Sequence, residues 1–271
     1  MTDAAVPSAA EPPALDVEPP DVAILRDRRE LAIVGSGGRA WAIAWPGTGS
    51  HLRAMHRLEL DAGGETAALA HESEAVYFVV EGEGTVDDLH EDAERSVAAH
   101  RMVYVPRRTG YRFRASTPLV VVGGPCPPDL TLYGTGPLRE AAAGEGDGPV
   151  ELYDADNEGV PVPMIGKRVR LVVWPGTGAD VATMNFAILE PGEQNQPHVH
   201  AESDDAIAIL EGQGSIDDLT NGVTREFAAG DVVFVRRGVR HMVKADRGAW
   251  IVSAGGPCPP DFGMLKALGL L

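Results

Sequence analysis

Two histidines separated by one residue, His198 and His200, precede a pair of acids, Asp204 and Asp205, in the stretch PHVHAESDDAIAILEGQG. A third histidine, His241, follows the apolar run VVFV and Gly238. Side chains alternate along a strand, so His198 and His200 project to one face. Asp205 opens the next apolar segment, and His241 belongs to a strand remote in sequence. Three imidazoles and a carboxylate gathered from separate strands make a mixed nitrogen and oxygen set suited to one divalent transition metal.

Residues around these four are candidates for holding a substrate. Gln194 and Gln196 precede the first histidine, and their amides can donate to a substrate or to a metal-bound water. Asn185, Phe186 and Ile188 lie on the preceding strand and are candidate pocket residues. Arg236 is a candidate anion contact. No residue is assigned as catalytic.

The elements that must position these side chains occur twice, because the chain is an internal repeat. WPGTG stands at 45–49 and 174–178, and GGPCPPD at 123–129 and 255–261. VVEGEGTVDDL (79–89) answers ILEGQGSIDDL (209–219). The units run from about 22 to 133 and from about 150 to 262. Residues 1–21 read as a disordered Ala/Pro arm, 134–149 as a Gly- and acid-rich linker. The tail, 263–271, reads as a short helical turn packed on a neighbour. Short apolar runs such as AVYFVV, RMVYVP, DVVFV and AWIVSA, broken by Gly, Pro and Asp pairs, predict an all-β protein of two sandwiches or barrels. Gly82-x-Gly84 and Gly212-x-Gly214 predict tight turns between strands.

The spacings Gly192-x5-His198-x-His200-x4-Asp205-x6-Gly212 and Gly230 through Gly238 to His241 resemble the two motifs of the cupin superfamily. Asp205 stands where that family usually has Glu, Arg236 replaces a proline and Ala245 an asparagine. The resemblance implies two tandem cupin-type jelly-roll barrels, a bicupin. By position it implies His198, His200, Asp205 and His241 as metal ligands, with Asp204 the alternative acid.

The first unit is an internal control. Aligned through Gly63 and Gly82, its ligand positions hold Leu69, His71, Ala75 and Tyr111, with Glu74 one step from the acid position. One ligand of four remains, so the first barrel is expected to carry no metal and to serve as scaffold, dimerisation or lid domain. Features common to both units, including GPCPPD, the Asp pairs, the Arg pairs and Trp45 with Trp174, are assigned to the fold. Cys126 and Cys258 occupy equivalent places and are expected to lie apart, without a disulfide.

Composition narrows the function. A formal net charge of −17 over 271 residues argues against nucleic-acid and anionic-membrane partners, which bind basic surfaces. No apolar run approaches a membrane span, and the N-terminus has no secretory character, so a cytoplasmic monomer or homodimer is expected. A four-ligand site leaves open positions on the metal. With Fe, the metal favoured here, that permits oxygen activation, so a mononuclear non-haem dioxygenase acting on a small metabolite, with an anionic one among the candidates, is the leading expectation. With Mn, Ni or Zn, the same site suits a redox-neutral isomerase, lyase or decarboxylase. A non-catalytic small-molecule-binding bicupin is the third reading.

Overall fold

The computed structural model describes residues 14–134 and 136–271. The arm expected over 1–21 therefore lies outside the described residues as far as residue 13. The described chain forms a 10-stranded and a 9-stranded antiparallel sheet, each curled into a jelly-roll barrel. No described helix is long and apolar enough to cross a membrane.

The apolar runs are buried on both faces, which explains why they show little alternation. In the strand Glu74–Glu81, Ala75, Tyr77 and Val79 fill the first barrel, while Val76 and Phe78 point into a joint core between the barrels. The second repeat does the same: Ile209 packs inside its barrel, and Ala206 and Ala208 face the joint core. At the centre of that core the rings of Phe78 and Phe186 stack with centroids 5.2 Å apart. Each fully buried Phe contributes about 1.5–3 kcal/mol, so the two barrels stabilise one another.

The sequence repeat and the sheets do not coincide. Val22–Leu25, at the start of the first repeat, pairs with Val232–Val235 of the second. Glu151–Asp154, at the start of the second, pairs with Arg101–Val105 of the first. Each repeat thus lends its opening strand to the other's sheet and covers an edge whose N–H and C=O groups would otherwise be unpaired. Arg26 Nε on Asp231 (2.9 Å) and the Arg236 amide on the Asp21 carbonyl (2.9 Å) tie down the first exchanged strand.

The two acid positions just before the ligand strand make reciprocal contacts. Glu74 of the first barrel accepts hydrogen bonds from the amides of Asp180, Val181 and Ala182 at 2.7–2.8 Å. These amides follow the second WPGTG turn. Asp204 of the second barrel accepts from the Arg237 amide at 3.1 Å, and the amides of His51 and Leu52 after the first WPGTG turn oppose the rise that burial gives its carboxyl pKa.

Gly212 does not end a strand as predicted. The strand Asp204–Asp218 runs through it, with a register shift between Ile209 and Glu211. It pairs first with Val232–Val235 and Ile251–Cys258, then with Val223–Ala228 and His241–Ala245. Gly212 has φ 83°, and a Cβ there would lie 1.5 Å from the Trp250 carbonyl oxygen. Glycine therefore permits the bend by which one strand serves both sheets of the barrel.

Cys126 and Cys258 do not lie apart: their sulfurs are 3.2 Å from each other, both as free thiols. Equivalent positions close to a pseudo-twofold axis are brought together by it. The fully buried Arg53 has no partner of its kind in the second repeat and binds both, at 2.9 Å to Cys258 and 3.5 Å to Cys126.

Candidate metal centre

His198 and His241 face each other across an isolated antiparallel bridge and exchange both backbone hydrogen bonds (3.1 and 3.0 Å). His241 begins the strand His241–Ala245, whereas the segment carrying His198 and His200 is irregular apart from isolated bridges. Pro197 precedes it, and proline cannot donate to a ladder. The two histidines nevertheless converge. The ring centroids lie 4.3 Å (His198–His241), 4.8 Å (His198–His200) and 5.4 Å (His200–His241) apart. The candidate ligand atoms of all three lie within 4.8 Å of one another.

Each ring is locked by its other nitrogen. His198 Nδ1 donates to the Gln196 carbonyl (2.8 Å), His241 Nδ1 to the Val239 carbonyl (3.1 Å) and His200 Nδ1 to Asp261 Oδ2 (2.7 Å). A proton fixed on Nδ1 leaves a lone pair on Nε2, the form a metal requires. Burial holds both His198 and His241 neutral: their pKa values fall to about 4 and about 3, with the neighbouring imidazoles adding to the effect.

Asp205 completes the group from the first position of its barrel-facing parity. Its Oδ2 lies 3.7 Å from His200 Nε2. Burial pushes its carboxyl pKa up, opposed by the charges of His200 and Arg53. His241 Nε2 and Asp205 Oδ1 are both buried without a hydrogen-bond partner. Orphaned buried acceptors carry a desolvation cost, and a cation held by the three imidazoles next to Asp205 would remove it. The residues present therefore fit a divalent metal held by three imidazoles and one carboxylate. Asp204, the alternative acid, points to the other barrel.

Above the histidines is a chamber of about 50 Å³, lined by Asn185, Asn195, Ser253 and apolar side chains including Ile207, Val233 and Ile251. Asn185 lines it as expected. Phe186 and Ile188, of opposite parity, turn into the joint core. Gln194 and Gln196 are exposed on either side of the buried Asn195, so the residue between the two candidates is the one inside. Asn195 Oδ1 accepts from the Val243 amide (2.8 Å), leaving its amide nitrogen free for the chamber. The parity expected from the ligand strand fails because Pro197 interrupts it. Arg236 is not in the chamber; its guanidinium pairs with Asp21 of the exchanged N-terminal strand.

Asp261 was hidden within a motif shared by both repeats. Burial alone would raise its carboxyl pKa; the His200 hydrogen bond and the Met264 amide outweigh burial and hold it below the ordinary value. Asp261 thereby links His200 to the helix Phe262–Ala267, whose first turn it caps (2.9 Å to Met264 N). Met264 of this helix and His198 line both the chamber and an outer groove of about 340 Å³, so Met264 stands between the two. The signal for Asp261 was its pairing with the one histidine retained in both repeats.

In the first barrel the corresponding space is filled. His71 Nδ1 binds Asp129 (2.8 Å), the counterpart of Asp261, but its Nε2 meets the Tyr111 hydroxyl (2.8 Å). That hydroxyl in turn bonds Tyr77 (2.5 Å). The phenol at the position of His241 satisfies His71 directly, and Glu74 faces away.

Residues 185–250 match the family model described as Cupin domain. No curated protein matches the sequence. A tryptophan-to-tyrosine variant of oxalate decarboxylase from Bacillus subtilis superimposes with a TM-score of 0.69 at 16% identity, covering 92% of this chain and 80% of that one. A structure of Bacillus subtilis oxalate decarboxylase described for its Mn(II) centres gives the same figures. A third, addressing substrate binding mode and reaction specificity in oxalate decarboxylase, has a TM-score of 0.69 at 15% identity over 95% of this chain and 85% of that one. Residues 185–250 of the second barrel thus carry a cupin-domain match, and the two-barrel fold is shared with these structures over nearly the whole chain.

Proposed function

We propose that this bicupin is an enzyme that holds one divalent transition metal in its second barrel, on His198, His200, His241 and Asp205, and acts there on a small molecule. The observation that carries the reading is the orientation of the three rings, each donating through Nδ1 and turning Nε2 to a common point. A bound metal would supply Lewis acidity toward a carbonyl or carboxylate oxygen. The chain's own groups do the rest. Asp261 and two backbone carbonyls fix the rings, Asn185 and Asn195 offer amides to the ligand, and Met264 with the apolar walls keeps bulk water out.

A redox-neutral reaction, of the decarboxylase, isomerase or lyase type, is favoured over the iron dioxygenase expected from the sequence. The likeness to oxalate decarboxylase, one structure of which is described for its Mn(II) centres, supports Mn over Fe. The test is elemental analysis of the purified protein, then assays of small carboxylic acids with Mn(II), with and without O2. Turnover without O2 consumption supports the proposal. Turnover that requires Fe(II) and consumes O2 stoichiometrically returns the dioxygenase. Metal without turnover, combined with a lower melting temperature in His241→Ala, makes the metal structural. Failure to bind any metal overturns the site.

A further inference from the structure

We propose that the second-barrel chamber selects a chelating monoanion, a 2-hydroxy or 2-oxo monocarboxylate with a short branched aliphatic chain, and discriminates against dianions such as oxalate. This inference rests on the metal reading above and goes on to name the substrate class.

Charge comes first. Among the described residues no Lys or Arg lines the chamber, and Asp205 is its one carboxylate. A divalent metal beside Asp205, with the imidazoles neutral, leaves a single positive charge inside the chamber, and Asp261 behind His200 can only lower it further. One carboxylate balances it. A second would be buried as net negative charge without a cation, which is costly in an apolar enclosure. Arg53 is the guanidinium that acts on Asp205 from behind, but it does not line the chamber. Its NH1 is held by the Thr183 carbonyl (2.5 Å) and Cys258 Sγ (2.9 Å). Beside it the Cys258 thiol, although buried, is brought down to about 6, by its bond to Cys126 and by Arg53. The Arg53 guanidinium is thus engaged by these partners and not by a ligand in the chamber.

Polar groups and shape come next. The donors offered to a ligand are neutral: the Asn195 amide nitrogen, left free by its bond to Val243, and the Asn185 side chain. Asn185 Oδ1 is buried without a partner, so it suits the O–H of a 2-hydroxy group. Adjacent oxygens on the ligand suit chelation at the open positions of the metal. The remaining wall is branched aliphatic, with Ile207, Ile209, Val233, Val243 and Ile251, and gains from burying a matching chain. The volume of about 50 Å³ holds roughly three to five waters, which limits that chain to a few carbons.

The test is calorimetric and needs no turnover. Metal-free full-length protein is titrated with MnCl2, then the loaded protein with 2-hydroxyisovalerate, 2-oxoisovalerate, isovalerate, oxalate and malonate. The expected result is one Mn(II) per chain. The two chelating monoanions should bind at least tenfold more tightly than oxalate, malonate or the non-chelating isovalerate. Asn185→Ala should weaken 2-hydroxyisovalerate more than 2-oxoisovalerate. Mn(II) binding with oxalate equal to or tighter than the monoanions, or with no binding of either monoanion, overturns the substrate class and leaves the metal site standing. No binding of Mn(II) overturns both.

Discussion

His200 and Asp261 stand 2.7 Å apart, Nδ1 to Oδ2, across 61 residues of chain, and the other barrel repeats the pair as His71 and Asp129 at 2.8 Å. The same carboxylate serves two ends. In the first barrel it orients an imidazole toward a tyrosine, and in the second it orients one toward the metal position. The difference lies at residues 69, 75 and 111 against 198, 205 and 241, not in the supporting carboxylate.

Asp261→Asn removes the negative partner of His200 while keeping the size of the side chain. Groups that orient a ligating histidine typically contribute 10–100-fold to metal affinity. Isothermal titration with Mn(II) or Zn(II) should show a loss of about that size, and Asp129→Asn should show none.

His241→Ala removes a candidate ligand whose Nε2 is buried without a hydrogen-bond partner. Metal content measured by elemental analysis should fall from one per chain to near zero, with the far-ultraviolet circular dichroism unchanged. Tyr111→Phe, at the equivalent position, deprives both His71 and Tyr77 of a buried partner. It should lower stability by about 1–3 kcal/mol, measured by denaturant unfolding, and leave metal content intact.

The metal-free protein should lose stability in mild acid. His198 and His241 are lowered from 6.5 to about 4 and about 3, by burial first. Between about pH 6.5 and those values the unfolded chain takes up protons that the folded chain refuses. Stability therefore falls as pH drops through that window and levels off below it. Asp205, raised by burial, acts in the opposite sense, since its stabilising share is lost as pH rises through its folded value. Two histidines outweigh one carboxylate, so the melting temperature of apoprotein should decrease from pH 7 to pH 4. A flat profile would contradict the buried neutral assignment.

Met264→Ala opens the partition between the chamber and the outer groove. Loss of metal to a chelator, followed by stopped-flow absorbance, should quicken several-fold with the stoichiometry unchanged. An unchanged rate would place the entry route elsewhere.

Deletion of residues 1–25 removes the strand Val22–Leu25 and bares the edge of Val232–Val235. An exposed apolar edge invites pairing with other chains. Light scattering should show concentration-dependent association, and the melting temperature should drop.

The sequence alone determined the repeat, the all-β character, the two barrels and the barrel that holds the candidate ligands. These are carried by residue identity, local period and spacing, and His198, His200, Asp205 and His241 are legible on that basis. It also identified Tyr111 as the residue standing in the place of His241. Tertiary structure decided what depends on long-range approach. Asp261 gained a role because the end of the last strand returns beside His200. Asn195 displaced Gln194 and Gln196 because a proline-broken segment does not keep strand parity. Arg236 went to the arm because the opening strands exchange between sheets, a pairing that no local pattern encodes. Cys126 and Cys258 meet because repeat positions near a pseudo-twofold axis become neighbours, and the location of that axis is fixed by how the two apolar faces pack.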